Sequence, residues 1–426
     1  MRRRRDPRSE PPGEPAAGAA NGLLRGAARR VPGLRRIRRR ATADHPAFDL
    51  TYVRTGELGS GAGEANAGAL PPIVVIPGGP GIAATLPYLG LRGRAAAKGI
   101  ELIMVEHRGV GLSRRDLRGR DLPPAAMRVE AAVDDIAAVL DAEGVTRAFV
   151  YGASYGSYLA AGLGVRRPGL VAGMVLDSPM VSATDHEVER ELMRSLFWTG
   201  DDPATAALTD QVHRLAAAGV EATELLVVVR AAYELGGPHL LGRLLTARLA
   251  GRGAAAWAIL RRYADREGVA SHPRACLYEF DLVGTLAFRE LHYAPTPDGR
   301  PFDTALTYAA PAQRYAGFVG EPFDLPRDFG AFDWPTVVLS GRRDLRTPPS
   351  QARLAASLLP SATLVDLDNG HSALESHPLA ALHVMERLRA GRHRALLDDA
   401  ALLSDLSRQP LSARLPDLVH LALLPW

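Results

Sequence analysis

The stretch AFVYGASYGSYLAAGLG, Ala148–Gly164, decides how this sequence folds. It opens with the apolar run Ala148–Tyr151, typical of a strand buried on both faces of a sheet, and closes with the helix-compatible run Ser157–Gly164. Between the two lies a Gly-x-Ser-x-Gly motif centred on Ser154. A strand–turn–helix turn of this kind is so tight that its flanking residues must be small, as the two glycines are, and it lifts the serine hydroxyl clear of the sheet. The pattern predicts Ser154 as a nucleophile.

A serine hydroxyl attacks a carbonyl only when a base removes its proton, so a histidine is required. Of the twelve histidines, only His371 lies in a suitable position. It stands in the turn DNGHS, Asp368–Ser372, just after the predicted strand Thr363–Asp366 and ahead of a helical run. Because loops at the carboxyl edge of a parallel sheet carry the functional groups, the sequence predicts His371 as the base.

The acid that orients the histidine is predicted in the turn after the strand Thr336–Leu339. That turn reads SGRRD and ends at Asp344. The chain order is then serine, aspartate, histidine, as this type of site demands. Asp177, at the end of the strand before the long helical stretch, is a rival acid. The Gly–Asp turn and the Thr-Pro-Pro that follows it favour Asp344.

Negative charge that develops on the attacked carbonyl oxygen needs two amide donors that converge on one point. The predicted strand Ile73–Ile76 ends in PGGPG, Pro77–Gly81, whose glycines let the backbone approach a substrate closely. The candidate donors are the amides of Gly79 and Tyr155.

From about residue 48, short apolar strands alternate with amphipathic helices, which predicts a mostly parallel central sheet with helices on both faces. One long stretch reads as almost wholly helical and is predicted to form a cap inserted before the last strands. The predicted parts are a basic, disordered tail at 1–45, a first core part at 46–180, the cap at 181–333, a second core part at 334–395, and an extension at 396–426 that docks on the body.

Composition excludes several classes of protein. Cys276 is the single cysteine in 426 residues, so an intramolecular disulfide and a cysteine-based metal cage are excluded. No apolar run approaches the length of about 20 residues that crosses a bilayer, and no secretory signal is readable. We expect a cytoplasmic protein without metal or other cofactor, acting on a small molecule or short peptide. The arginine excess belongs to the tail, so no nucleic-acid partner is expected, and the oligomeric state is left open.

Several motifs occur together in one order. They are Gly78–Gly81 (GGPG), Glu106–Ser113 (EHRGVGLS), Gly152–Gly156 (GASYG), Asp344 with the following TPP, and Gly370-His371. The set resembles the proline iminopeptidase (prolyl aminopeptidase) branch of the α/β-hydrolases over roughly residues 48–180 and 334–390. The resemblance implies an α/β-hydrolase fold and a serine hydrolase that cleaves an N-terminal peptide bond or a small amide through an acyl-enzyme. The sequence departs from that family at Pro77, usually histidine, and at Glu106, usually aspartate.

Aminopeptidases of that family hold the free α-amine of the substrate with carboxylates of the cap. Glu279 and Glu290 lie in the corresponding region and are the candidates here, although solvated helix faces explain them equally well. Two other functions stay open: a carboxylesterase or lipase-like hydrolase that uses the same triad on small esters, and a non-catalytic ligand-binding protein on the same scaffold. Epoxide hydrolases and dehalogenases of this fold use an aspartate nucleophile, which Ser154 disfavours.

Overall fold

The computed structural model describes residues 14–56, 70–267, 273–408 and 410–423. Within them, eight strands form one sheet in the order β1-β2-β4-β3-β5-β6-β7-β8. The strands are β1 (Leu34–Arg40), β2 (Ala47–Thr55), β3 (Ile73–Ile76), β4 (Leu102–Val105), β5 (Ala148–Ala153), β6 (Val171–Asp177), β7 (Thr336–Gly341) and β8 (Ala362–Leu367). The pairs β1–β2 and β2–β4 are antiparallel and all other neighbours are parallel. The prediction of a mostly parallel sheet is confirmed.

Helices cover both faces of the sheet. They are α1 (Glu14–Ala28), α2 (Leu89–Ala97), α3 (Val129–Ala142), α4 (Tyr155–Arg166), α5 (Asp185–Arg194), α6 (Ala206–Ala217), α7 (Ala222–Leu249), α8 (Ala254–Glu267), α9 (Phe280–Glu290), α10 (Leu306–Ala312), α11 (Leu325–Asp328), α12 (Pro349–Leu358), α13 (Ala373–Ser376), α14 (Pro378–Arg389), α15 (Ala400–Asp405) and α16 (Pro410–Leu421). Val74 of β3 packs in one apolar core with Val133 of α3, whereas Val75 packs in a second core with Leu91 of α2. Because successive strand residues point to opposite faces, each core lies on its own side of the sheet.

Seven of the described helices, α5 to α11, lie between β6 and β7 along the chain. Helices α5 to α8 surround a separate apolar core that includes Phe197, Leu244 and Trp257, and α16 packs on α7 and α8. Helix α7 is bent at Gly237, where φ is 65°. We propose this helical segment as the cap of the fold. Among the helices that the structure describes, none has the length and apolar character that a bilayer span requires.

The expectation of a disordered tail over residues 1–45 is wrong from residue 14 onward, and the residues before it lie outside the described part. All seven residues of β1 pair with β2. Its inward arginines meet buried acids: Arg35 Nη1 lies 2.6 Å from Glu143 Oε2, and Arg39 Nε lies 2.7 Å from Asp135 Oδ1. A strand held by ion pairs lacks the apolar alternation that marks a strand in sequence, so its composition alone suggested a tail.

Replacing Arg39 by alanine tests whether these ion pairs hold β1. The Asp135 side chain is 2% exposed and keeps Arg108 as a partner in the variant. We therefore expect the free energy of unfolding to fall by about 1.5 kcal/mol, the scale of one hydrogen bond to a charged group. Arg40→Ala, an exposed arginine of the same strand, is the matched control and changes it by less than about 0.5 kcal/mol. Urea unfolding measures both values, and equal effects would contradict the docking of β1.

Candidate active site

Ser154 occupies the turn between β5 and α4 in a backbone conformation that few non-glycine residues adopt. Its φ is 52° and its ψ is −122°, and its amide donates to the Asp177 carbonyl at 2.8 Å. The flanking glycines leave no room for a side chain: a Cβ on Gly152 would come 2.2 Å from the Gly156 carbonyl oxygen, and one on Gly156 would come 2.2 Å from the Ile76 carbonyl oxygen. Strain at such a residue persists only where the surrounding structure enforces it, commonly at a functional site.

The structure brings the predicted base and acid to Ser154. His371 Nε2 lies 2.9 Å from Ser154 Oγ, and His371 Nδ1 lies 2.9 Å from Asp344 Oδ2. Asp344 is 1% exposed. Its carboxylate also accepts hydrogen bonds from the amides of Arg346 and Thr347, at 2.9 and 3.0 Å, and from the Thr347 hydroxyl at 2.9 Å. The carboxylate is therefore held by protein donors as well as by the imidazole.

The protonation of this pair follows from two opposed effects. Burial acts to lower the pKa of His371 and to raise the pKa of Asp344, because it disfavours both charged forms. Their mutual attraction and hydrogen bond outweigh burial, so the pKa of His371 lies above its ordinary value and the pKa of Asp344 lies below its own. The aspartate thus stabilises the positive charge that the imidazole acquires when it takes a proton.

The glycine-rich loop after β3 lies against Ser154. Gly78 and Gly79 line the same cavity as Ser154, and a Cβ on Gly78 would come 3.2 Å from the Ser154 Cβ. Gly79 has a φ of 120°, a conformation that glycine adopts readily. Tyr155 is the first residue of α4, and the first amides of a helix have no acceptor within it. Both predicted amide donors therefore belong to segments that adjoin Ser154.

Ser154 and His371 line a cavity of about 1190 Å³ that the helical segment between β6 and β7 helps to enclose. Ligand sites of this kind are usually concave, with apolar walls and a few charged groups that orient the ligand. The lining includes the aromatic residues Tyr88, Tyr293 and Tyr308 and the carboxylates Glu189, Glu234 and Glu375. The volume leaves room for a small molecule or a short peptide.

Two of these carboxylates come from different helices of the proposed cap, Glu189 from α5 and Glu234 from α7. Burial raises the pKa of Glu189 to about 7, against the attraction of Arg230, whose Nη1 lies 3.4 Å from it. Glu234 accepts hydrogen bonds from the Leu345 amide and from Arg346 Nη2, both at 3.2 Å. The sequence analysis missed both glutamates, because no local motif marks them and only the packing of α5 and α7 brings them to the cavity.

Glu279 and Glu290, the carboxylates predicted to bind substrate, lie elsewhere, and that prediction is wrong. Glu279 is 1% exposed and Glu290 is 3% exposed, and neither lines the cavity. Glu279 accepts from the Gly111 amide at 2.6 Å and faces Arg114 at 3.4 Å, and Glu290 accepts from the Val129 amide at 2.8 Å. Their oxygens already accept hydrogen bonds from backbone amides and lie beside arginines. The two glutamates therefore connect α9 to the core instead of facing a ligand.

Residues 71–218 match the family model described as alpha/beta hydrolase fold. The matched region runs from β3 to α6 and contains Ser154 with its turn. Together with the order of the strands, this match shows that the chain has the α/β-hydrolase fold. No curated protein matches the sequence.

Solved structures similar to this chain include VinJ, with 17% identity, a TM-score of 0.47, and coverage of 84% of this chain and 98% of that one. A proline iminopeptidase from Mycobacterium smegmatis has 17% identity, a TM-score of 0.48, and coverage of 86% and 99%. A thermophilic esterase from Thermogutta terrifontis has 17% identity, a TM-score of 0.45, and coverage of 84% and 99%. At these values the likenesses carry no argument about activity.

Proposed function

We propose that this chain is a serine hydrolase in which Ser154 is the nucleophile, His371 is the general base and Asp344 orients the histidine. The observation that carries the proposal is the chain of contacts from Ser154 Oγ through His371 to Asp344, with 2.9 Å at each step. Ser154 and His371 open into a cavity large enough for a substrate. An intact contact chain of this kind favours a catalyst over a protein that only binds a ligand.

The geometry supports acyl transfer in two stages. His371 Nε2 takes the proton of the Ser154 hydroxyl as its oxygen attacks the substrate carbonyl, and Asp344 stays ionised beside the imidazolium. The amides of Gly79 and Tyr155 donate to the oxyanion of the tetrahedral intermediate. The imidazolium then protonates the leaving group, which departs and leaves an acyl-enzyme on Ser154. Water, deprotonated by the same histidine, releases the acid and restores the serine.

We infer that the substrate carries a free amine near the reacting carbonyl. Glu189 and Glu234 place two carboxylates in the wall of the cavity that holds Ser154. An ammonium group between two carboxylates is stabilised by charge-assisted hydrogen bonds. This arrangement agrees with the resemblance of the sequence motifs to proline iminopeptidases and supports cleavage of an N-terminal peptide bond or a small amide.

One observation favours a second candidate, hydrolysis of small esters. Glu189 already faces Arg230 at 3.4 Å and Glu234 already faces Arg346 at 3.2 Å, so an amine would share each carboxylate with an arginine. An ester without an amine would need neither glutamate and would react through the same three residues.

A fluorophosphonate probe tests the nucleophile. We expect it to label folded wild-type protein at Ser154, because His371 activates that hydroxyl, and to leave Ser154→Ala unlabelled. Peptide mass spectrometry locates the modified residue, and heat-denatured wild-type protein, in which the contact is lost, serves as the control. Folded wild-type protein that stays unlabelled would overturn the proposal and leave the ligand-binding alternative.

Substitution of Glu189 by glutamine tests the amine. With a free-amine amide such as an aminoacyl β-naphthylamide, we expect KM to rise about tenfold or more, the scale of one lost hydrogen bond between charged groups. With a p-nitrophenyl ester the rise should be much smaller. Glu191→Gln is the matched control, because Glu191 lies on the same helix with its side chain 62% exposed. If wild-type protein cleaves only esters, or cleaves the N-acetylated amide equally well, the amine proposal fails and the serine hydrolase remains.

The raised pKa of His371 predicts the pH dependence of the reaction. His371 accepts the serine proton only when it is neutral, so kcat/KM for an ester should fall as the pH drops through a midpoint above 6.5, the ordinary histidine value. Asp344→Asn removes the attraction that raises this pKa, so the midpoint should move to lower pH. The same change should lower kcat by about 10³-fold or more, since the imidazole loses its orientation. A midpoint that stays in place would show that Asp344 does not act on His371.

A further inference from the structure

Two residues at the end of β6 lie beside the loops that carry Asp344 and His371. They are Asp177 and Ser178, each 1% exposed. The mechanism proposed above gives neither of them a role. Ser178 has a φ of 51°, in the left-handed region that residues other than glycine seldom occupy. Burial of these two polar side chains, and the strained backbone of Ser178, are unfavourable unless their contacts compensate for them.

Asp177 binds the chain immediately after the histidine. Its Oδ1 accepts from the Ala373 amide at 3.0 Å, and its Oδ2 accepts from the Leu374 amide at 2.9 Å. Oδ2 also accepts from the Tyr151 hydroxyl at 2.8 Å and from the Ser372 hydroxyl at 3.2 Å. The two amides open helix α13, so a carboxylate of β6 holds the start of the helix that follows His371.

Ser178 connects the base loop with the strand that leads to the acid. Its hydroxyl oxygen accepts from the Ser372 amide at 2.9 Å, one residue after His371. Its own amide donates to the Leu339 carbonyl of β7 at 3.0 Å. A single residue thus links the neighbour of the base to β7, the strand that precedes Asp344.

We propose that Asp177 and Ser178 are positioning residues that set the distance between Asp344 and His371; this rests on the serine hydrolase function proposed above. Asp344 and His371 leave different strands, and His371 sits in a loop of small and polar residues. Their separation therefore depends on contacts that join the two loops. Reaction rates respond steeply to misplacement of a catalytic group, by up to about 100-fold per ångström.

Asp177 was the rival candidate for the triad acid, and its contacts show why it has the positioning role instead. Both carboxylate oxygens of Asp344 lie within hydrogen-bond distance of His371 Nδ1, at 2.9 and 3.0 Å. The oxygens of Asp177 are occupied by backbone amides and hydroxyls of the base loop and β5. Asp177 therefore acts on the histidine through the loop, not by contact with the ring.

The test is a double-mutant cycle with Ser178→Ala and Asp344→Asn, assayed by kcat and KM on a p-nitrophenyl ester. Ser178→Ala should lower kcat by about tenfold and leave KM within about twofold of wild type, because substrate binding does not involve it. In the Asp344→Asn background the same substitution should have little further effect, since the placement of His371 against the acid then matters far less. A merely structural role would instead give losses that multiply.

Ser340→Ala is the matched control. Ser340 of β7 is 2% exposed, and its hydroxyl has no hydrogen-bond partner among the described residues. This variant also removes a buried hydroxyl from the strand beside β6, and it should keep wild-type kcat. Circular dichroism shows whether each variant is folded. If Ser178→Ala does not fold, Tyr151→Phe, which removes one donor to Asp177, should lower kcat with KM unchanged.

The outcomes separate the two proposals. Full kcat in folded Ser178→Ala, or multiplicative losses in the cycle, would overturn the positioning role while the serine hydrolase stands. Full kcat in folded Tyr151→Phe would do the same where only that variant can be measured. If wild-type protein neither hydrolyses the ester nor reacts with a fluorophosphonate, the proposed function itself fails.

Discussion

Strands β5, β6, β7 and β8 run parallel, and their register brings their carboxyl ends to one edge of the sheet. Ala153 pairs with Asp177, and Gly341 pairs with Leu367. A slip of one residue in a strand pair turns every side chain of that strand to the other face. Because both faces of β5, β6 and β7 are buried in separate apolar cores, the register of these strands is strongly enforced. Ser154, Asp344 and His371 meet because the carboxyl ends of their strands lie at the same height along this edge.

The loops after β7 and β8 are in direct contact. A Cβ on Gly341 would come 2.0 Å from the Gly370 carbonyl oxygen. The Arg343 amide donates to the Asn369 carbonyl at 3.0 Å, and its side chain pairs with Asp368. These contacts join the turn that carries Asp344 to the residues just before His371. The end of β6 supplies the corresponding contacts on the other side of the histidine.

The sequence predicted residues that the structure brings together wherever their placement depends on local structure. Ser154, Asp344 and His371 each follow a short apolar strand in the correct chain order, and the chemistry requires those residue types at those places. The carboxylates in the wall of the cavity were not predictable in this way. Glu189 and Glu234 reach the cavity through helix packing, whereas Glu279, which lies in the expected region, is turned towards the amide of a core loop.

The N-terminal error has a different physical origin. Strand β1 carries Arg35, Arg36, Arg38, Arg39 and Arg40 in seven residues. Arginine-rich composition normally indicates a chain that cannot bury enough apolar surface to fold. Here Asp135 of α3 pairs with Arg39. Glu143, just after α3, pairs with Arg35, so alternate arginines of the strand are paired and partly buried. Pattern analysis based on hydrophobicity cannot detect a strand whose inward face is ionic.

The exposed face of β1 also affects the self-association of the protein. An edge strand offers unpaired backbone groups to any other chain, and charged side chains are a common protection against aggregation. Arg36, Arg38 and Arg40 are exposed along this edge. A chain that lacks the residues up to 46 would expose the edge of β2, whose residues from Leu50 to Val53 are buried. Removing this arginine-rich segment would therefore first lower the solubility of the protein.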